Sequence, residues 1–134
     1  MSQATSDNAS QEILQAVFEA FNRHDADGVV AHMSDDIVFE AIGGDEVFGN
    51  RITGKAAVKA AFEGVWANAP DVQWRDHKHF ASGDRGVSEW TFVATQPDGS
   101  HIEADGCDLF RFANGLIVEK KAFRKNRPPV SKDK

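Results

Sequence analysis

No tyrosine occurs in these 134 residues, cysteine occurs once and proline four times. Each scarcity excludes something. Without tyrosine, no phenol can serve a site as proton donor. With Cys107 alone, no disulfide can close within the chain, and a reducing cytoplasm is the expected compartment. No run approaches the ~18 apolar residues of a membrane span. The polar start MSQATSDNASQ has no basic stretch leading into an apolar one, so a soluble, unsecreted protein is expected. Positive charge is also short. Lys and Arg number 15 against 21 Asp and Glu, and the net charge of -6 offers no attraction to phosphate backbones or anionic lipid. Neither nucleic acid nor membrane is an expected partner. A Ser-His-Asp order, a phosphate loop and a dinucleotide fingerprint are all missing, and no cofactor is expected.

What the chain does have is aromatic mass, with 10 Phe and 3 Trp, enough for one hydrophobic core and hence one domain. We expect a disordered segment at 1–10, a single domain at 11–125 and a disordered basic tail at 126–134 containing Pro128-Pro129. In ILQAVFEAFNRH, the residues Ile13, Leu14, Val17, Phe18 and Phe21 recur at helical spacing after a cap at Asn8 or Ser10. Asp25 or Asp27 caps a shorter helix through Val29, Val30 and Met33. SDDIVFEA then switches to period two, with Ile37, Phe39 and Ala41 on one face. The loop IGGDEVFGN follows, and Thr53 is placed to cap a third helix that ends before Pro70. From Val72 on, strands alternate with turn signals. Helices first and a strand meander afterwards predict an α+β domain, its helices on one face of a curved antiparallel sheet. Such a sheet closed by helices makes a cone with a pocket.

Hairpin turns set which residues face each other, and they make one carboxylate conspicuous. In GCDLFRFANGLIVEKKAFRK, alternation puts Asp108 on the face of Phe110 and Phe112, with only Ala104 and Gly106 before it. A two-residue turn at Asp98-Gly99 pairs Glu89 with Asp108. A three-residue turn at Ala113-Asn114-Gly115 pairs Asp108 with Lys120, whereas a two-residue Asn114-Gly115 turn pairs it with Lys121. The expectation is a row of Glu89, Asp108 and a lysine, sharing its face with Thr91, Val93 and Phe110. Two carboxylates so close cannot both ionise easily, so one should hold a proton and the pair could act as acid and base. The competing reading is a solvent-facing ion-pair ladder; the small and apolar residues on that face argue for the inward one.

Other polar candidates are weaker. His77 and His79 share a strand face, but nothing in the sequence makes His101 or another third ligand converge on them, so no metal site is expected. His32, on the second helix, can reach a pocket rim. Cys107 points away from Asp108 as a packed small residue.

The segments FNRHDADGVVAHMSDDIVFEA and GCDLFRFANGLIVEKKAFRK resemble the SnoaL-like polyketide cyclases and ketosteroid isomerase-like proteins of the nuclear transport factor 2-like fold superfamily, over about Gln11 to Lys125. The most telling pieces are Asp35 to Ala41 and the pattern from Phe110 to Ile117. The resemblance implies three helices against a strongly curved, mainly antiparallel sheet, a cone with an apolar pocket, and frequent dimers. In it, the acid of ketosteroid isomerases falls on Asp108, their base on Ala41 and their phenol on Val17, so isomerisation by that mechanism is not expected. SnoaL-like cyclases are similar in using an inward aspartate for aldol closure, a part Asp108 could take. Limonene epoxide hydrolase-like members activate water with an Asp-Arg-Asp set, against which this chain offers Asp108, Glu89 and Arg124.

The expected function is cofactor-free acid/base chemistry on a hydrophobic carbonyl compound: an isomerisation, a dehydration or an aldol-type cyclisation. Asp108, Glu89 and Lys120 form the expected catalytic group. Phe18, Phe21, Phe39, Phe62, Phe110, Thr91, Arg124 and His32 are expected around the ligand. The alternatives are a noncatalytic binding or dimerisation module and water activation on an epoxide or ester. In the family arrangement Trp90 lies on the outer sheet face, where a homodimer is expected, and the tryptophans are not expected in the pocket.

Overall fold

Residues 3–131 are described by the structure, a computed structural model, and they form three helices and six strands. In chain order these are α1 (Gln3–Asn22), α2 (Ala26–Val30), β1 (Met33–Glu40), β2 (Arg51–Thr53), α3 (Lys55–Asn68), β3 (Gln73–Ser82), β4 (Arg85–Thr95), β5 (His101–Ala113) and β6 (Leu116–Arg124). The strands form a mixed, open sheet in the order β2-β1-β6-β5-β4-β3, antiparallel except between β1 and β6. The helices pack on its concave face, giving the α+β cone expected from the sequence.

The helical spacing of α1 turns Leu14, Val17, Phe18 and Phe21 inward, all fully buried. The helix begins at Gln3, ahead of the expected caps, so residues 3–10 are helical where disorder was expected. Asp25 caps α2 by accepting the Gly28 N–H at 3.0 Å. Thr53 does not cap α3. It ends β2, a short strand where a loop was expected, and Gly54 holds the cap position while its N–H donates to Ile37 O at 2.8 Å. Aromatic contacts tie the layers together: Phe21 meets Phe62 of α3 at 4.7 Å and Trp74 of β3 at 5.0 Å between ring centroids. In the tail, Val130 exchanges backbone hydrogen bonds with His101 at 2.7 and 2.8 Å, and Arg127 donates to Glu103 O. The part of the tail up to residue 131 is therefore docked on β5, against expectation, while 1–2 and 132–134 lie outside the described residues.

Two registers differ from the sequence reading. The turn between β4 and β5 is a longer loop, Gln96–Ser100, flanked by the pair Thr95 and His101. A two-residue turn would need Pro97 to donate a backbone N–H to Ser100, and proline has none. Gln96 N–H makes that bond instead, at 2.8 Å. The shift is one residue, which swaps every side chain of β4 between faces relative to β5. Ser88, not Glu89, is opposite Asp108. Between β5 and β6, Asn114-Gly115 is a two-residue turn with φ of 54° and 78°. Val118 then bulges out, so Lys120 lies opposite Phe110 and Asp108 opposite Ala122.

A second bulge, at Asp76 with φ 55°, brings His77 and His79 of β3 side by side. Their Nδ1 and Nε2 atoms are 2.8 Å apart, and His79 Nδ1 is 2.7 Å from the fully buried Ser88 Oγ. Phe18 covers both rings. The histidines are thus bonded to each other, and among the described residues no three potential ligands converge on a metal position. No helix among those residues is long and apolar enough to cross a membrane.

His79 is held down to about 4, first by burial and then by His77, with Glu19 of α1 opposing. A histidine with a lowered folded value binds its proton more readily in the unfolded chain, so its stabilisation is complete above the ordinary 6.5 and is lost as pH falls toward about 4. Asp25 and Asp71, held below the usual 3.8 by hydrogen bonds from Gly28 and Thr95, act below most of that window. Denaturation midpoints should drop between about pH 6.5 and 4, and His79→Gln should flatten the drop; a flat wild-type profile would contradict this account.

Candidate functional site

With β4 turned over, Trp90 faces the inside of the cone and Glu89 faces out. The indole crosses β5 above Gly106. A Cβ on Gly106 would come within 2.4 Å of the Trp90 ring and of Phe123 O, so only glycine leaves room for the ring there. Lying that way, Trp90 Nε1 donates to Asp108 Oδ2 at 2.9 Å. From β6, Lys120 Nζ donates to Asp108 Oδ1, also at 2.9 Å.

Asp108 is 0% exposed and Lys120 3%. Indole and ammonium groups donate and do not accept, so both Asp108 oxygens act as acceptors, as a carboxylate does. The ammonium also lies 4.4 Å from the Phe39 ring centroid and 5.3 Å from that of Phe62. Ring faces stabilise a desolvated cation, so the lysine is compensated by one carboxylate and by the aromatic walls. The bulge at Val118 makes this possible: without it, Glu119 and Lys121 would face Phe110 and Asp108 in that order.

This pair forms the floor of a cavity of about 240 Å³ between α3 and the concave face of the sheet. Its walls are apolar, chiefly Phe39, Phe62, Trp74, Trp90 and Phe92. Ile42 and Val65 are its exposed lining residues and mark its rim, with the partly exposed Arg124 at the end of β6. Arg124 lies inward, its guanidinium 4.8 Å from the Phe92 ring centroid, and partial burial lowers it from the ordinary arginine value.

Of the residues singled out in the sequence, Asp108, Lys120, Phe39, Phe62 and Arg124 line this cavity together. Glu89 does not: it is exposed on the outer face, opposite Cys107, so it is not placed to share a proton with Asp108. Thr91 is outward too, its hydroxyl donating to Asp105 at 2.7 Å. Phe18, Phe21 and Phe110 are core residues behind the wall, not lining. His32 is also absent from the lining; its backbone carbonyl accepts from Ile117. Trp74 and Trp90 line the cavity, against the expectation that the tryptophans stay out of it. Pro97 was the available signal for Trp90, because its missing N–H forces the one-residue shift that turns the ring inward.

The family model of the SnoaL-like domain matches residues 14–120. A search of curated proteins found no match. Among solved structures, a candidate polyketide cyclase of Xanthomonas campestris pv. campestris is 22% identical, with a TM-score of 0.79 over 89% of this chain and 92% of that one. An NTF2-like protein of unknown function from Burkholderia pseudomallei K96243 is 22% identical, with a TM-score of 0.75 over 87% and 91%. TerC, crystallised with polyporic acid, is 18% identical, with a TM-score of 0.72 over 85% and 89%. At such identities the likeness establishes the shared fold.

Proposed function

Because the chain belongs to the SnoaL-like domain family, we propose that it is a cofactor-independent acid/base enzyme acting on a hydrophobic carbonyl compound. The observation that carries this is the Lys120–Asp108 ion pair, desolvated and aimed into an apolar cavity. A carbonyl oxygen beside the Lys120 ammonium gains a donor that strengthens as negative charge develops on it. Asp108, with Trp90 fixing its second oxygen, is the group that takes the α-proton. The C–H electrons move into the carbonyl to form an enolate, and the proton held on Asp108 returns to carbon or to a leaving hydroxyl. Isomerisation, dehydration and aldol-type closure all pass through this step. In this reading Asp108 is the base, not a protonated donor.

The second reading is a ligand-binding module without chemistry. It is favoured by Val17 and Ala41, which stand where ketosteroid isomerases carry their phenol and base. Water activation has less support, since Glu89 faces away from Asp108 and cannot join it about one water. We also propose a homodimer through the outer sheet face, where Phe80, Leu109 and Phe123 are exposed. The unpaired Cys107 on that face suits a reducing cytoplasm.

The test is deuterium exchange at the α-carbons of 2-tetralone, followed by NMR. Wild type should accelerate it, and Asp108→Asn, verified as folded by near-ultraviolet circular dichroism, should lose about a hundredfold or more. Quenching of tryptophan fluorescence by 2-tetralone with no exchange above buffer would overturn catalysis in favour of the binding module. Sedimentation equilibrium should give the dimer mass for wild type and the monomer mass for Leu109→Glu; a wild-type monomer sets the dimer aside.

A further inference from the structure

Arg124 is the charged group at the cavity that the proposed chemistry leaves unused. On β6 the inward residues run Lys120, Ala122, Arg124, so the floor cation and the rim cation are four residues apart, about 13 Å along the strand at the backbone. Ala122, the inward residue between them on β6, is small and leaves that space open to the cavity. This lets the guanidinium reach over Phe92 on β4.

Arg124 makes no ion pair or side-chain hydrogen bond among the described residues, and Phe92 is its one ring contact. The neighbouring carboxylates are engaged or turned away. Asp105 accepts from Thr91, Glu40 binds Arg51, Glu119 lies beside Arg111 and Lys121, and Glu89 faces outward. At the floor, Lys120 and Asp108 cancel each other's charge. The cavity thus carries one uncompensated positive charge, at its rim, in a protein of net charge -6. A partly buried guanidinium has lost hydration and gains most from a charged partner that fits its planar fork.

We infer that the ligand is an oxo acid: a carbonyl group at the Lys120–Asp108 floor, a flat apolar spacer across Ala122, and a carboxylate bound by Arg124. This names the substrate class for the site and rests on the proposed function of that pocket. The cavity of about 240 Å³ sets the spacer. An apolar cavity of about 150 Å³ holds benzene, and ligand pockets start near 300 Å³, so one ring with a short side chain or two small fused rings fit and a larger polycyclic body does not.

The test uses 3-(4-acetylphenyl)propanoate and its methyl ester, with affinities read from tryptophan fluorescence and calorimetry. For wild type the acid should bind roughly ten- to hundredfold more tightly than the ester, as a charge-assisted contact implies. Arg124→Met, which keeps the length and apolar contact of the side chain, should bring the acid down to the ester and leave the ester unchanged. Equal binding of acid and ester by wild type would overturn the inference and leave the pocket reading standing. An acid preference that survives in Arg124→Met would also overturn it. Binding of neither compound would overturn the pocket reading, and the inference with it.

Discussion

Two opposite charges buried together, on Asp108 and Lys120, constrain the rest of this molecule. Desolvating either one alone costs several kcal/mol, on the order of what holds a small domain folded, so each must find the other with good geometry. The bulge at Val118 turns Lys120 inward, the loop at Gln96–Ser100 turns Trp90 inward, and Gly106 lets the indole lie across β5 to reach Asp108. Phe39 and Phe62 then present ring faces to the ammonium. These features lie on β1, β4, β5, β6 and α3, and each serves the same pair.

That arrangement also separates two tasks. The floor of the cavity is electrically neutral as a pair, yet holds a strong donor and a strong acceptor within reach of one bound molecule. The rim carries the spare charge. In the proposed function, such a site orients a guest by its far end while the near end meets the Lys120–Asp108 pair across an apolar wall. The spacing of inward residues on one strand, set by the pleat, fixes the distance between the two ends.

The sequence made the architecture readable because long-range order followed from local signals. Helical periodicity in α1, the switch to period two at Ile37, and the Asn114-Gly115 turn each reported an element directly. Asp108 was legible as inward from its alternation with Phe110 and Phe112. Lys120 was inward as expected, yet its opposite residue is Phe110, since the turn and the bulge each shift the register and their effects offset on that face. Glu89 and Thr91 were misplaced because one proline outweighed a strong Asp-Gly turn signal. A bulge leaves little trace in a single sequence, and a one-residue slip moves a whole strand to the other face. The fold tolerates such errors in reading; the site does not.

The most direct test of the account is the coupling between Asp108 and Lys120 in stability, from denaturation of wild type, Asp108→Asn, Lys120→Met and the double variant. If the pair is a desolvated ion pair, each single change should cost about 3–5 kcal/mol by stranding the other charge, and the double variant should recover most of one such loss. Single losses that are small and simply add would mean that water reaches both groups, and the pair would not be the buried floor of the site.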